Sequence, residues 1–224
     1  MKTQEFNTVV QLNNELANQF IQWINQAIAD YGQARILLSG GSTPISFYNL
    51  LEKKELDWTK ISIGLVDERY VDQSSDFSNE TLIHQTLLQN HLKETKVVPM
   101  VQFKDDTEKN LAAINEGYSS FIERTDIVLL GMGDDGHTAS LFPNDVASKE
   151  LLKSNQKGIF YTSAPNHPKD RITCSPAILE AATHCVLLLH GSKKREVLLK
   201  SEDQNLPIAR FINRPNFQLY YSKS

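Results

Sequence analysis

The sequence predicts an α/β protein built on a mainly parallel, Rossmann-like twisted sheet with helices on both faces. Two observations support this fold class. Apolar runs with the length of strands alternate with segments whose apolar residues recur at helical spacing. Several of these runs are apolar throughout, which is typical of parallel strands buried on both faces. The length of 224 residues suits one domain spanning residues 1–224.

The predicted helices and strands follow one another in alternating order. The first helix is indicated by Leu16, Phe20 and Ile24, which fall on one face. The predicted helices are Leu12–Tyr31, Ile45–Glu55, Asn79–His91 and Thr107–Arg124. The predicted strands are Arg35–Ser39, Ile61–Val66, Val97–Met100, Asp126–Leu130, Gly158–Ser163, Cys185–His190 and Phe217–Tyr221. Because ligands bind beyond the carboxyl ends of such strands, the chemistry is expected in the segments that follow them.

Composition and charge exclude several classes of function. With 23 basic and 27 acidic residues the net charge is −4, and no basic run exceeds Lys193–Arg195, so no nucleic-acid partner is expected. No apolar stretch approaches the ~20 residues that span a bilayer, and Met1–Val10 lacks the apolar core of a signal peptide. We therefore expect no membrane partner. Cys174 and Cys185 are interpreted as buried thiols, which indicates a cytoplasmic protein. The oligomeric state, monomer or dimer, is left open.

The first candidate binding motif is Ser39-Gly-Gly-Ser-Thr-Pro44, between a predicted strand and a predicted helix. Its two glycines, Gly40 and Gly41, let the backbone come close to a ligand. Thr43 is expected to be the N-cap of the helix, so that free N–H groups face a phosphate. A tight, capped turn explains the motif equally well. Since neither a P-loop nor a nucleophile elbow is present, Ser42 is a candidate ligand donor and not a nucleophile.

The second motif, Asp67-Glu-Arg69, directly follows a predicted strand. Arg69 could pair with a carboxylate, a phosphate or a developing oxyanion. A structural ion pair among these three neighbours is the alternative, and it is favoured when the motif is taken alone. Asn79 ends the loop that follows, where it could bind a ligand or only cap a helix.

The third motif is the most informative and reads Gly131-Met-Gly-Asp-Asp-Gly-His-Thr-Ala-Ser-Leu-Phe-Pro143. A strand ends there in a glycine-rich turn that presents Asp134, Asp135 and His137. A histidine held by a carboxylate is the usual general base near neutral pH. Metal binding is disfavoured because no second clustered histidine or cysteine is present. The surrounding glycines also argue against a histidine that serves only packing.

Two weaker candidates lie downstream. Arg171 falls in Pro165–Pro176, which is interpreted as a proline-bounded loop over the site. Lys194 follows the apolar strand that ends at His190. Each of these cations, taken alone, is more often a solvated surface charge than a ligand.

Taken together, these motifs resemble the 6-phosphogluconolactonase family, within a wider group that includes glucosamine-6-phosphate deaminase. The resemblance runs from about Leu37 to Leu199. Its carriers are Ser39–Pro44, Asp67–Arg69, Asn79, Gly131–Pro143, Arg171–Thr173 and Gly191–Lys194. Several separated motifs in one order are far more specific than any single motif.

The deaminases supply the sharpest alternative. They are similar in the glycine loop and the D-G-H segment, but they continue as D-G-H-I-A-F-N-E-P, which places an acidic residue where this chain has Phe142. They also read D-E-Y where this chain has Arg69 as the third residue. Loss of a carboxylate and gain of a cation suited to an oxyanion both favour lactone hydrolysis.

The resemblance implies hydrolysis of 6-phospho-D-glucono-1,5-lactone in the oxidative pentose phosphate pathway, with no metal and no cofactor. His137 is then the base, Asp135 holds its ring or a sugar hydroxyl, and Arg69 stabilises the oxyanion or the product carboxylate. Arg171 and Lys194 are expected to help bind the phosphate, and which of Arg69, Arg171 and Lys194 binds the phosphate and which the carbonyl end is left open. The substrate-binding set is Gly40, Gly41, Ser42, Thr43, Asp67, Asn79, Arg171 and Lys194. A non-catalytic sugar-phosphate binding protein, which needs no His137, is the alternative from another class.

Overall fold

The computed structural model describes residues 1–92 and 95–223. Its central feature is a six-stranded sheet in which every neighbouring pair of strands is parallel, as the sequence predicts. The strands of this sheet are β1 (Lys2–Phe6), β2 (Ala34–Leu38), β3 (Ile61–Leu65), β5 (Ile127–Leu130), β8 (His184–His190) and β9 (Phe217–Ser222). They lie in the order β1-β9-β8-β5-β2-β3.

Helices cover this sheet. They are α1 (Val9–Tyr31), α2 (Ile45–Leu51), α3 (Asn79–Thr86), α4 (Thr107–Gly117), α5 (Ser119–Glu123), α6 (Val146–Leu151), α7 (Pro176–Leu179), α8 (Ser192–Leu199) and α9 (Ala209–Ile212), with 3₁₀ turns at Trp58–Lys60 and Asn90–Leu92. All four residues of β5 and Cys185–Leu189 of β8 are buried. Because successive side chains point to opposite faces, both faces of the sheet are covered.

A second, smaller sheet is antiparallel, and the sequence analysis predicts one of its three strands, as Gly158–Ser163. It consists of β4 (Asp67–Arg69), β7 (Asp170–Cys174) and β6 (Ile159–Ser163), in that order. The interpretation of Pro165–Pro176 as a loop is therefore wrong, because β7 lies within it. Residues of β7 pair with β4 on one side and with β6 on the other.

Predicted and observed bounds differ where tertiary contacts intervene. The predicted helix Thr107–Arg124 is divided at Tyr118, which leaves helical geometry. The Tyr118 hydroxyl is buried and accepts the backbone N–H of Leu65 at 2.8 Å, which ties this position to β3. The predicted strand Val97–Met100 is reduced to one isolated bridge, between Ile63 and Val97.

Candidate active site

The candidate site is a cleft at the carboxyl ends of the parallel strands. β2 and β5 are neighbours, but the chain continues from β2 to β3 on one side and from β5 to β8 on the other. Such a reversal opens a crevice that commonly holds ligands. Two adjoining pockets lie there, with volumes of about 230 and 410 Å³. Since they share Asp67, Arg69, His137 and Ala139, His137 lies where they join.

Every residue predicted for the site lines one of these pockets. The first pocket contains Gly40, Gly41, Ser42, Thr43, Asp67, Arg69, Asn79, His137 and Lys194. The second pocket contains Asp67, Arg69, Asp135, His137 and Arg171. Lys194 and Arg171 thus lie in different pockets, although the sequence analysis expects both at one phosphate. They are separated because Lys194 follows β8 of the parallel sheet, whereas Arg171 lies on β7 of the antiparallel sheet.

The glycine loop is shaped by Asn79. A Cβ atom at Gly40 would collide with the Asn79 side-chain amide, so only glycine leaves room for that side chain. The Asn79 Nδ2 donates to the carbonyl oxygen of Asp67 at 2.8 Å. The predicted Thr43 N-cap is wrong, because Pro44 takes the N-cap position of α2 with no side-chain cap.

His137 and Asp135 form the only His–carboxylate pair within 4 Å in the described part of the chain. The His137 Nδ1 lies 2.5 Å from the Asp135 Oδ1, which also accepts the His137 backbone N–H at 3.2 Å. The hydrogen bond from His137 lowers the pKa of the Asp135 carboxyl below its ordinary value, although partial burial opposes this. Asp135 is therefore a carboxylate at neutral pH, suited to hold a donating Nδ1–H and to leave Nε2 with its lone pair.

Two further residues shape the surroundings of this histidine. The Phe142 ring lies 4.7 Å from the His137 ring, tilted by 39°, and Phe142 is 5% exposed. A Cβ atom at Gly133 would collide with the His137 imidazole. Gly133 is thus required for the position of the imidazole ring. The sequence analysis places Gly133 in a glycine-rich turn but does not identify this role.

Glu68 organises the segment that carries Arg69 and Asn79, and the sequence analysis did not identify this role. Its carboxylate accepts the backbone N–H groups of Arg69, Asn79 and Glu80 at 2.7, 2.7 and 2.8 Å, and the Ser78 hydroxyl at 3.0 Å. Burial raises the pKa of Glu68, while these donors lower it. The alternative of an ion pair among Asp67, Glu68 and Arg69 is not realised, because no oppositely charged side-chain atoms of these three residues lie within 4 Å of each other. Ser78, and not Asn79, caps α3.

Ser140 connects the histidine loop to each strand of the antiparallel sheet. Its hydroxyl donates to the Asp67 Oδ2 of β4 at 2.5 Å. Its carbonyl oxygen accepts the Thr162 hydroxyl of β6 at 2.7 Å, and its N–H donates to the Thr173 hydroxyl of β7 at 3.4 Å. Ser140 and Asp67 are both buried, so Asp67 is held with a fixed orientation at the cleft. Nothing in the sequence indicates these partners, which are distant along the chain.

The cations of the first pocket have donors to spare. The Lys194 Nζ donates to the carbonyl oxygen of Met132 at 2.8 Å, which leaves two of its three donors for a ligand. The Arg69 Nη1 donates to the carbonyl oxygen of Phe77 at 2.5 Å. Both side chains are thus placed by backbone carbonyl groups, and among residues 1–92 and 95–223 neither has an acidic partner within 4 Å.

Neither a metal centre nor a membrane-spanning helix is found within residues 1–92 and 95–223. No three His, Cys, Asp or Glu side chains there are placed to hold a metal ion together. No helix in this part of the chain has both the length and the apolar character needed to cross a membrane.

The fold and the cleft together define an α/β protein of the doubly wound type, with a polar small-molecule site at the switch point of its sheet. The sequence identifies the family. The chain belongs to the family described as glucosamine-6-phosphate isomerases/6-phosphogluconolactonase, whose model matches residues 7–220.

Individual relatives agree with this assignment. A 6-phosphogluconolactonase of Rhizobium meliloti is 36% identical over 203 residues, covering 88% of each chain. One from Helicobacter pylori is 34% identical over 226 residues, covering 98% of this chain and 97% of the relative. The crystal structure of a 6-phosphogluconolactonase from Shewanella baltica superposes with a TM-score of 0.89 at 30% identity, covering 99% of this chain and 97% of that one. The mainly parallel α/β fold is thereby confirmed.

Proposed function

We propose that this chain, acting as one domain over residues 1–224, hydrolyses 6-phospho-D-glucono-1,5-lactone to 6-phosphogluconate. The observation that carries the proposal is the His137–Asp135 pair at the junction of two pockets lined by cations. The name 6-phosphogluconolactonase of the relatives supports the same reaction here. The proposal includes the place of this reaction in the oxidative pentose phosphate pathway and the cytoplasmic location expected from the sequence.

His137 acts as the general base in this proposal. Its Nε2 takes a proton from a water molecule as the water oxygen bonds to C1 of the lactone. The carbonyl oxygen becomes an oxyanion, and the imidazolium is stabilised by the Asp135 carboxylate at 2.5 Å. When the bond from C1 to the ring oxygen breaks, His137 returns the proton to that oxygen. No covalent intermediate is needed, because a lactone is already an activated ester.

The phosphate is bound in the first pocket, at the opposite end of the substrate from C1. The Lys194 ammonium supplies positive charge there, and the backbone and hydroxyl groups of Gly41, Ser42 and Thr43 line the same pocket. Asp67 and Asn79, on the adjoining wall, are suited to the sugar hydroxyls. Binding at this remote group positions the lactone carbonyl beside His137 and so contributes to the rate.

Phe142 argues against the deaminase alternative. The resemblance places an acidic residue of the deaminases at this position, next to the histidine of the D-G-H motif. In this chain the apolar ring lies 4.7 Å from the His137 ring. An apolar neighbour cannot transfer protons in an amino-sugar isomerisation.

The test is the decay of the lactone, generated in situ and followed against its spontaneous rate. The protein is expected to accelerate the decay, and His137→Ala should lower kcat by about 10²–10⁴-fold because the general base is lost. His84→Ala, at an exposed position on α3, is the matched control and should keep normal turnover.

Near-normal turnover by His137→Ala would exclude the proposed base. Ammonia release from glucosamine 6-phosphate, without lactone hydrolysis, would favour the deaminase. Tight binding of sugar phosphates with no turnover of either substrate would favour a binding protein.

A further inference from the structure

Arg171 is a buried cation with an unpaired donor. The residue is 9% exposed, and its Nη1 is inaccessible to solvent and has no hydrogen-bond partner within the described residues. A buried charged donor without a partner destabilises the fold, because it has lost its hydration without compensation. Such a group is explained when a ligand supplies the missing acceptor.

A second arginine occupies the opposite position on the neighbouring strand. Arg69 on β4 is the antiparallel register partner of Arg171 on β7. Like charges facing each other across two strands repel. Burial lowers the pKa of Arg171, and the charge of Arg69 lowers it further, although Asp67 opposes this. The pair therefore forms a site whose electrostatic strain an anion would relieve.

The two cationic regions of the cleft lie in different pockets, and both pockets are lined by His137. Arg171 lines the second pocket with Asp135 and His137, whereas Lys194 lines the first pocket with His137. Arg69 lines both. A ligand that occupies both pockets thus meets positive charge in each of them and lies beside the His137 that they share.

We propose that Arg171, together with Arg69, binds the C1 oxygen of the substrate, while Lys194 binds the phosphate. This inference rests on the proposed function and adds the orientation of the substrate to it. Hydrolysis converts a neutral carbonyl oxygen first into an oxyanion and then into one oxygen of the product carboxylate. Arg171 consequently binds the transition state and the product more strongly than the lactone, which raises kcat more than it lowers KM.

The test compares two ligands that differ only at C1. Both 6-phosphogluconate and glucitol 6-phosphate carry the phosphate, but only the first has a carboxylate. By titration calorimetry, the wild-type protein should prefer 6-phosphogluconate by about tenfold to a hundredfold, as expected for a charged hydrogen bond. Arg171→Gln should remove this preference. Lys194→Met should weaken both ligands alike, and Lys193→Met, whose side chain is 82% exposed, is its control.

Kinetics give a second readout. Arg171→Gln should mainly lower kcat for the lactone, and Lys194→Met should mainly raise KM. If the glutamine variant fails to fold, Arg171→Lys takes its place. This variant keeps a buried cation but loses the planar guanidinium, so it should retain part of the preference for 6-phosphogluconate.

Equal weakening of both ligands by the Arg171 variants, or no preference in the wild-type protein, would overturn the inference and leave the proposed function intact. A wild-type protein that neither accelerates lactone decay nor binds either ligand would instead refute the proposed function itself.

Discussion

Replacing Glu68 with glutamine should destabilise the fold and loosen one wall of the cleft. Glu68 is 2% exposed, and each of its two carboxylate oxygens accepts two hydrogen bonds. Oε1 accepts the N–H groups of Arg69 and Asn79, and Oε2 accepts the Glu80 N–H and the Ser78 hydroxyl. Glutamine preserves the shape of the side chain but turns one of these oxygens into a donor, which faces two other donors.

The expected magnitude follows from this count of lost bonds. Two hydrogen bonds to a charged acceptor are worth about 1.5–3 kcal/mol each, or roughly 3–6 kcal/mol together. Rotation of the Ser78 hydroxyl and local relaxation recover part of this, so we expect a loss of about 2–4 kcal/mol in the free energy of unfolding. For a chain of this size each kcal/mol lowers Tm by roughly 2–4 °C, so Tm should fall by about 5–15 °C.

The assay is urea and thermal unfolding at neutral pH, with lactone hydrolysis measured on the same samples. Glu123→Gln is the matched control, because its side chain is 76% exposed and its ion pair with Arg35 is worth less than about 1 kcal/mol. Since Glu68 positions Arg69 and Asn79, the variant should also show weaker substrate binding. Unfolding of the Glu68→Gln protein at the same urea concentration as Glu123→Gln would refute the reasoning.

Two further predictions concern the same cleft. Gly133→Ala should lower kcat by about 10²-fold in steady-state assays, because the new Cβ displaces the His137 imidazole. Glu80→Gln should flatten the dependence of stability on pH. Burial, and then the charge of Glu68, raise the pKa of Glu80 from 4.5 to about 7, so the folded state binds more protons across this window. The wild-type free energy of unfolding should therefore fall as pH rises from 4.5 to 7.

Each of these predictions has its own check. Normal kcat in the Gly133→Ala variant would argue against the collision with His137. Urea unfolding at pH 5 and at pH 7.5 measures the effect of Glu80. An identical pH profile in Glu80→Gln would show that other groups cause the dependence.

The strands of the parallel sheet could be predicted because each carries its own signal. Ile127–Leu130 and Cys185–Leu189 are apolar throughout, and burial on both faces requires that composition. In the antiparallel sheet β6 was also predicted, as Gly158–Ser163, but β4 and β7 carried no comparable signal. β4 is three residues long and charged, and β7 pairs Arg171 with Arg69, a partner about a hundred positions away. Flanking prolines therefore favoured the wrong interpretation of β7 as a loop.

The residues of the candidate site could be predicted from the sequence, but their positions relative to one another could not. His137 and Asp135 are two positions apart in a glycine-rich turn, so their contact follows from local sequence. The separation of Lys194 from Arg171 depends on which sheet each one belongs to, and no local pattern records that. Glu68 likewise accepts a hydrogen bond from Asn79, which lies eleven positions further along the chain. The residues next to Glu68 in sequence do not indicate this contact.

The hydrogen bonds of Ser140 have a consequence for how sequence change accumulates in this cleft. Through them Asp67, Thr162 and Thr173 are joined to the loop that carries His137. Substitutions among positions that share one network are non-additive, so a change at one of them alters what is tolerated at the others. Lys194 stands outside this network. Substitutions at Lys194 should therefore combine additively with changes at Thr162 or Thr173, whereas changes within the network should not.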